Sequence, residues 1–496
     1  MTQKEAFTIL KTGTNVFLTG AAGSGKTYLL NEYIRFLKKR GIGVGITAST
    51  GIAATHLGGL TIHSWAGIGI AREASDMEIR MMAGNRRVAK RFAKTNVLII
   101  DEISMLDADR LNLLDRVARV AKGSFKSFGG MQAVLCGDFF QLPPVAKDGE
   151  PPPKFAYQSA AWQSMDIKVC YLHEQYRQGD QRLLHILNSI RRSSVDETVM
   201  THLHERYGTA LASDRVTKLY SRNVNVDEEN ARELARLPGK SRSYQMKAFG
   251  ITALIQSLKN GCLAPETLNL KKDAKVLFVK NNLAKGYVNG TLGVVNGFDD
   301  WGHPLVTTFD GKKISASPEA WSIEENGKTL AEITQIPLRL AWAITIHKSQ
   351  GMTLDAAAVD LSGAFEKGMG YVALSRVRSL AGLQLLGLND MALEVHPEIL
   401  VKDVEFRAFS DHTEEELRSL SILEKERKQK EFLRSLAPYE EEKPPSTYEK
   451  TKLLIEKKLP IAEIARRRGM TEGTIMGHLE KLIAQGDGLD MGYLRF

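Results

Sequence analysis

Cysteine is scarce in this chain: its 496 residues include only Cys136, Cys170 and Cys262. They lie far apart, and none forms a CxxC pair or joins a Cys/His cluster. That argues against a zinc site and a disulfide framework, and it fits buried thiols in a reducing compartment. Long apolar runs are missing too. None approaches the roughly 18 residues that span a bilayer. The start, Met1-Thr2-Gln3-Lys4-Glu5, reaches a glycine-rich loop by Gly20, which leaves no space for a signal or transit peptide. The expected location is cytoplasmic. A strong charge imbalance is also lacking, with 67 Lys and Arg against 58 Asp and Glu. The excess permits a polyanionic partner without demonstrating one.

What is present suits a folded, multi-domain chain. The apolar fraction is 43%, and a prior of about 150 residues per domain gives roughly three or four domains. Up to about residue 175, short apolar runs alternate with helical patterns. Asn15–Thr19, Ile42–Ala48, Val97–Ile100 and Met131–Leu135 read as strands, with Thr27–Arg40 and Asp107–Ala121 as helices between them. Val97-Leu98-Ile99-Ile100 is apolar throughout, as a strand covered on both faces must be. The fold class is α/β, a parallel sheet wrapped by helices.

Gly20-Ala21-Ala22-Gly23-Ser24-Gly25-Lys26-Thr27 fits GxxxxGK[ST] between a strand and a helix. Its glycines let backbone N–H groups face a phosphate, Lys26 reaches the β and γ phosphates, and Thr27 ligates Mg²⁺. Asp101 and Glu102 follow the buried strand. The first is placed to hold Mg²⁺, the second to orient and deprotonate water. ATP and Mg²⁺ are the expected cofactors. These motifs alone predict an ATPase of unspecified purpose.

Further segments resemble superfamily 1 helicases, and their wording resembles the Pif (petite integration frequency) family of superfamily 1B. They are Thr50-Gly51-Ile52-Ala53-Ala54 with Gly58 to Ser64, and Phe128-Gly129-Gly130-Met131-Gln132 leading into Gly137-Asp138-Phe139-Phe140-Gln141-Leu142-Pro143-Pro144. Leu172 to Arg177, Leu340 to Asp355 and Tyr371 to Arg378 complete the set. One departure is Ser127, where the family usually has proline before Phe-Gly-Gly.

This resemblance implies two RecA-like lobes with ATP between them. Gln141 would sense the γ-phosphate or the water, and Arg177 and Arg376 would be arginine fingers. Gln350 and Gly351 would complete the nucleotide site. Gln3 would read adenine, with an exposed terminal glutamine as the alternative. Thr50, His63, His347, Lys348 and Ser349 would grip the strand. The implied function is an ATP-dependent DNA helicase moving 5′ to 3′, in a family associated with repair, recombination and telomere maintenance. Its partners would be single-stranded and fork DNA, away from any membrane, with the protein working as a monomer. The competing readings are a RecD-like subunit of a nuclease complex and a nucleotide-gated DNA-binding regulator.

The expected division is lobe 1 over 1–177, with a small wedge insertion over 66–91, and lobe 2 over 178–272 and 330–405. Asn289-Gly290 and Asp310-Gly311 signal hairpins within 273–329, expected to form an inserted SH3-like barrel. In the wedge, Ile68, Ile70 and Met81 either stack on a base pair or pack inward. Residues 406–445 read as a charged linker helix. Residues 446–496 read as a helix-turn-helix or winged-helix module: Pro460 starts one helix, Gly469 stops it, and Thr471 caps the next. Thr471, Glu472, Thr474, His478 and Lys481 would face DNA, with Arg466-Arg467-Arg468 on phosphates; the module is equally open to protein partners. It resembles a domain appended to some bacterial helicases, which suggests a bacterial source.

Overall fold

The computed structural model describes residues 1–69, 71–144, 152–174, 180–211, 216–280, 282–287, 289–325, 328–436 and 447–484. They form two compact units, Met1–Phe432 and Leu433–Phe496. No described helix is long and apolar enough to cross a membrane.

The first sheet holds β1 (Asn15–Gly20), β2 (Val44–Ala48), β3 (Leu60–Thr61), β4 (Val97–Asp101), β5 (Gln132–Cys136) and β6 (Ile167–Leu172). All neighbours are parallel, in the order β3-β2-β4-β5-β1-β6. Every residue of β4 is buried, as its unbroken apolar run requires. The phosphate loop leaves the end of β1 and the paired acids leave the end of β4. Because β1 and β4 run parallel, both reach the same edge of the sheet, where α/β folds bind ligands.

After β7 (Thr217–Tyr220) the chain enters a β-rich excursion. It comprises β8 (Arg242–Gln245), β9 (Lys247–Gly250), β10 (Thr267–Leu270), β11 (Lys275–Phe278), β12 (Leu292–Phe298), β13 (Pro304–Thr308), β14 (Lys313–Ser315), β15 (Glu319–Glu325), β16 (Lys328–Gln335) and β17 (Leu338–Leu340). Three antiparallel sheets result: β14-β13-β12-β11-β17, β15-β16-β9 and β10-β8. The excursion is wider than the expected 273–329. β16 pairs with β9, and β17 pairs with β11. These partners lie far apart in the chain, so no local turn signal marks them. The chain then returns through β18 (Ala343–Thr345), β19 (Ala357–Leu361) and β20 (Leu383–Leu388), which form a second parallel sheet, β18-β7-β19-β20. The stretch from Leu338 to Ile346 is thus divided between two sheets, through β17 and β18.

Helices Asp76–Gly84 and Arg86–Lys94, capped by Ser75 and Asn85, occupy most of the 66–91 stretch. Ile68 is buried in the lobe's core, while Met81 is exposed; Ile70 lies outside the described residues. Residues 406–419 are not linker. They continue the Pro397–Ser419 helix, whose Phe406, Ser410, Thr413 and Leu417 form a buried stripe of helical spacing. Phe406 packs among Phe17, Phe139 and Trp162, and the Ser410 hydroxyl accepts from Tyr171 N–H at 3.0 Å. Dense charge on the exposed face of this helix concealed the stripe. The segment 437–446 lies outside the described residues.

In the second unit, helices Thr447–Glu456, Ile461–Arg468 and Glu472–Ala484 surround Ile455, Ile464, Ala465, Ile475, Leu479 and Leu482. Gly469 ends the middle helix at φ +63, and the Thr471 hydroxyl accepts from Thr474 N–H. His478 is not presented outward as expected. It is buried, with Nδ1 3.0 Å from the Thr451 hydroxyl and its ring against Tyr448. Arg466 and Arg467 pair with Glu463, and Arg468 donates to Thr447. Any wing beyond 484 lies outside the described residues.

Candidate nucleotide site and strand track

The phosphate loop turns on left-handed glycines, Gly23 at φ +86 and Gly25 at φ +84. Gly20 is needed for space: a Cβ there would lie 2.7 Å from the Leu172 carbonyl oxygen. Lys26 Nζ donates to the carbonyls of Gly20 and Ala21 at 2.8 and 3.0 Å. The buried Ser24 hydroxyl has no hydrogen-bond partner among the described residues. Such a cradle, with left-handed glycines, a lysine and an orphaned hydroxyl, fits a triphosphate. Gln3 Nε2 donates to the Ser24 carbonyl at 3.3 Å, so this glutamine sits against the loop rather than free in solvent.

Asp101 and Glu102 face the loop from β4. Asp101 accepts from Glu102 N–H at 2.9 Å, and Glu102 takes the left-handed conformation at φ +52. Burial pushes the Asp101 carboxyl up, although Lys26 opposes it. Burial and the neighbouring Asp101 push Glu102 up to about 7. Both groups are thus poor at holding charge by themselves and suited to a cationic ligand.

The second lobe closes the site. Gln350 Nε2 lies 3.3 Å from Glu102 Oε2 and 3.3 Å from Gln141 Oε1. Arg376 is buried. Its Nε donates to the Val372 carbonyl and its Nη2 to the Ser375 hydroxyl, and it lines a cavity of about 370 Å³ with Lys26, Thr27, Glu102, Gln141 and Gly351. Arg177 lies outside the described residues.

A larger cleft of about 1010 Å³ adjoins this cavity and is lined by Thr27, Thr50, Asp101, Glu102, His347 and Gln350, with Gly286, Tyr287 and Asn289 to Leu292 of the β-rich excursion across it. Burial lowers the pKa of His63, His347 and Lys348, so both imidazoles are neutral at pH 7. Ser349 differs from expectation. It is fully buried, its hydroxyl donates to the Ile346 carbonyl, and its own carbonyl accepts from Arg376. It therefore braces the arginine and is closed to a strand. The segment before the acids is braced as well: the Ser49 hydroxyl donates to the Glu102 carbonyl at 2.6 Å.

One buried network was missed. Arg191 donates to both oxygens of Asp138 at 2.8 and 2.7 Å, and to the hydroxyls of Tyr171 and Tyr371. Burial alone would raise the Asp138 carboxyl, but the charges of Arg191 and Lys26 hold it below its ordinary value. Arg191 carries no motif. The available signal was an arginine on the apolar stripe of the Gln181–Arg191 helix, in line with Leu183 and Leu187.

Comparison with known proteins gives this geometry its context. Residues 2–192 match the PIF1-like helicase family, and residues 447–494 match a helix-turn-helix domain family. The chain is 40% identical, over its whole length and 89% of the relative's, to an ATP-dependent DNA helicase Pif1 of Psychrobacter sp.. It is 38% identical to the human ATP-dependent DNA helicase PIF1 over 78% of this chain, spanning 60% of the human protein. Among solved structures, a Bacteroides Pif1 helicase in complex with ADP-AlF3 and ssDNA superimposes with TM-score 0.58 at 30% identity, covering 83% of this chain and 97% of that one. Two parallel-sheet lobes of RecA-like form, the site between them and these likenesses agree: the chain belongs to the PIF1-like family of ATP-dependent DNA helicases.

Proposed function

We propose that this helicase moves 5′ to 3′ along single-stranded DNA and opens duplex at forks, stepping by ATP-driven closure of its two lobes. The observation that carries the reading is Gln350, which reaches from the second lobe to both Glu102 and Gln141 of the first. A glutamine shared between the water-activating acid and the phosphate-sensing residue makes hydrolysis depend on lobe closure.

In this reading Lys26 and the loop N–H groups hold the β and γ phosphates, and Gln3 meets the adenine. Thr27 and Asp101, both oxygen donors, would hold Mg²⁺. When bound, that ion neutralises phosphate charge. Glu102 accepts the proton of the attacking water, Gln141 orients the water, and Arg376 stabilises charge on the transferring phosphoryl group. Arg177 keeps its proposed role as a second finger. Thr50 and His347, which line the larger cleft, contact the strand with Lys348 and His63. Neutral imidazoles suit hydrogen bonding to sugar and bases more than phosphate pairing. A monomer acting with DNA in a bacterial cytoplasm suffices. The second unit, with Arg466, Arg467 and Arg468 engaged, acts as an accessory domain.

The test compares unwinding of forks carrying only a 5′ tail or only a 3′ tail, with ATP and Mg²⁺, beside Lys26→Ala. Opening from the 5′ tail alone, lost in Lys26→Ala, is expected. Opening only from the 3′ tail would overturn the polarity.

A further inference from the structure

The Met369–Leu374 helix of the second lobe meets the nucleotide loops of the first at two points. Gly368, its N-cap, has φ +85, and a Cβ there would lie 2.7 and 2.8 Å from the carbonyl oxygens of Phe140 and Gln141. Less than a turn on, the buried Tyr371 hydroxyl accepts from Ala22 N–H of the phosphate loop at 2.9 Å.

That hydroxyl is fully committed. It also accepts from Arg191 at 3.0 Å and donates to Asp138 Oδ2 at 3.3 Å. One proton and two lone pairs are all it has. Burial raises its pKa to about 12, so it stays a hydroxyl throughout the working range. The Arg191–Asp138 pair beneath it is almost wholly buried, an arrangement that is expensive to desolvate and stiff once formed. The same helix carries the carbonyl of Val372, on which Arg376 is folded.

We infer that Tyr371 is a positioning residue: it sets the shape of the phosphate loop from the second lobe, so that lobe closure tunes ATP affinity. The inference rests on the motor reading above but concerns a different step. Without the hydroxyl, Ala22 N–H and one Arg191 N–H lose their partner inside the protein. The loop then no longer feels where the second lobe stands, even though Lys26, Glu102 and Arg376 remain.

The experiment uses the full chain with Tyr371→Phe. It measures KM and kcat for ATP with saturating oligo(dT), and the oligo(dT) Kd with and without a non-hydrolysable ATP analogue. The expected result is a KM for ATP raised about tenfold, the scale of one unmade buried hydrogen bond, and loss of the analogue's effect on strand affinity. A wild-type KM together with a wild-type analogue effect would overturn the inference, whatever happens to kcat. Should Tyr371→Phe lower the melting temperature, Gly368→Ala displaces the same helix at its other contact, the carbonyls of Phe140 and Gln141, without removing a hydrogen bond. Raised KM supports the inference there, and unchanged constants overturn it. Failure of the motor reading would appear separately, as a wild-type chain that opens no fork.

Discussion

Gln350 places its amide nitrogen 3.3 Å from Glu102 Oε2, across 248 residues of sequence and from one lobe to the other. A carboxylate in that place would face an acid that burial and Asp101 already hold at about 7. Gln350→Glu should therefore slow strand-stimulated ATP hydrolysis by about 10²-fold, the scale of losing one preorganised donor. Binding of an ATP analogue should survive. Steady-state phosphate release and analogue titration check both, and wild-type turnover would remove Gln350 from the mechanism.

Arg376 presents a planar fork whose Nε and Nη2 are held by Val372 and Ser375. Lysine keeps the charge and loses the fork. If Arg376 acts as the proposed finger, Arg376→Lys should lower single-turnover hydrolysis by about 10³-fold. A loss below tenfold in rapid-quench measurements would point to a bracing role alone.

Phe406 is buried within a nest of rings, 4.9 Å from Phe17 and 5.9 Å from Phe139 between centroids. Phe406→Ala should cost about 3–5 kcal/mol of the first unit's stability. Denaturant unfolding followed by tryptophan fluorescence would read it, and a cost near zero would restore residues 406–419 to a linker.

His478 supplies a pH dependence confined to the second unit. Burial lowers its pKa, with Arg468 and Lys481 acting the same way. The unfolded chain therefore takes up a proton more readily than the folded one. Stability is full above the unfolded value near 6.5 and declines as pH falls from there toward the lower folded value. Hydrogen exchange across 447–484 of the full chain should thus show more opening at pH 5.5 than at pH 7.5, after correction for intrinsic rates. His478→Gln should lessen that difference.

How much of this was legible in the sequence follows from distance along the chain. The phosphate loop and the Asp101-Glu102 pair are local patterns at the ends of strands, and the spacing carried them. The pairing of Leu338–Leu340 with Lys275–Phe278 is between segments some sixty residues apart, and no turn announces it. Ser349 lay within a motif, yet its burial depends on Arg376 and Ile346 converging on it. Arg191 needed the fold to reveal that an apolar helix face ends on a carboxylate. The Phe406 stripe was present in the residues, but charge at the intervening positions outweighed it.

The brace from Ser49 to the Glu102 carbonyl has a kinetic meaning. Ser49 and Thr50 are joined by one peptide bond; the first holds the backbone of the acid proposed to activate water, and the second lines the cleft proposed for the strand. No long relay is then needed for DNA to speed hydrolysis. The peptide plane between them is stiff, which keeps the two residues' backbones close neighbours. On this reading, one peptide bond and one hydrogen bond separate the track from the acid.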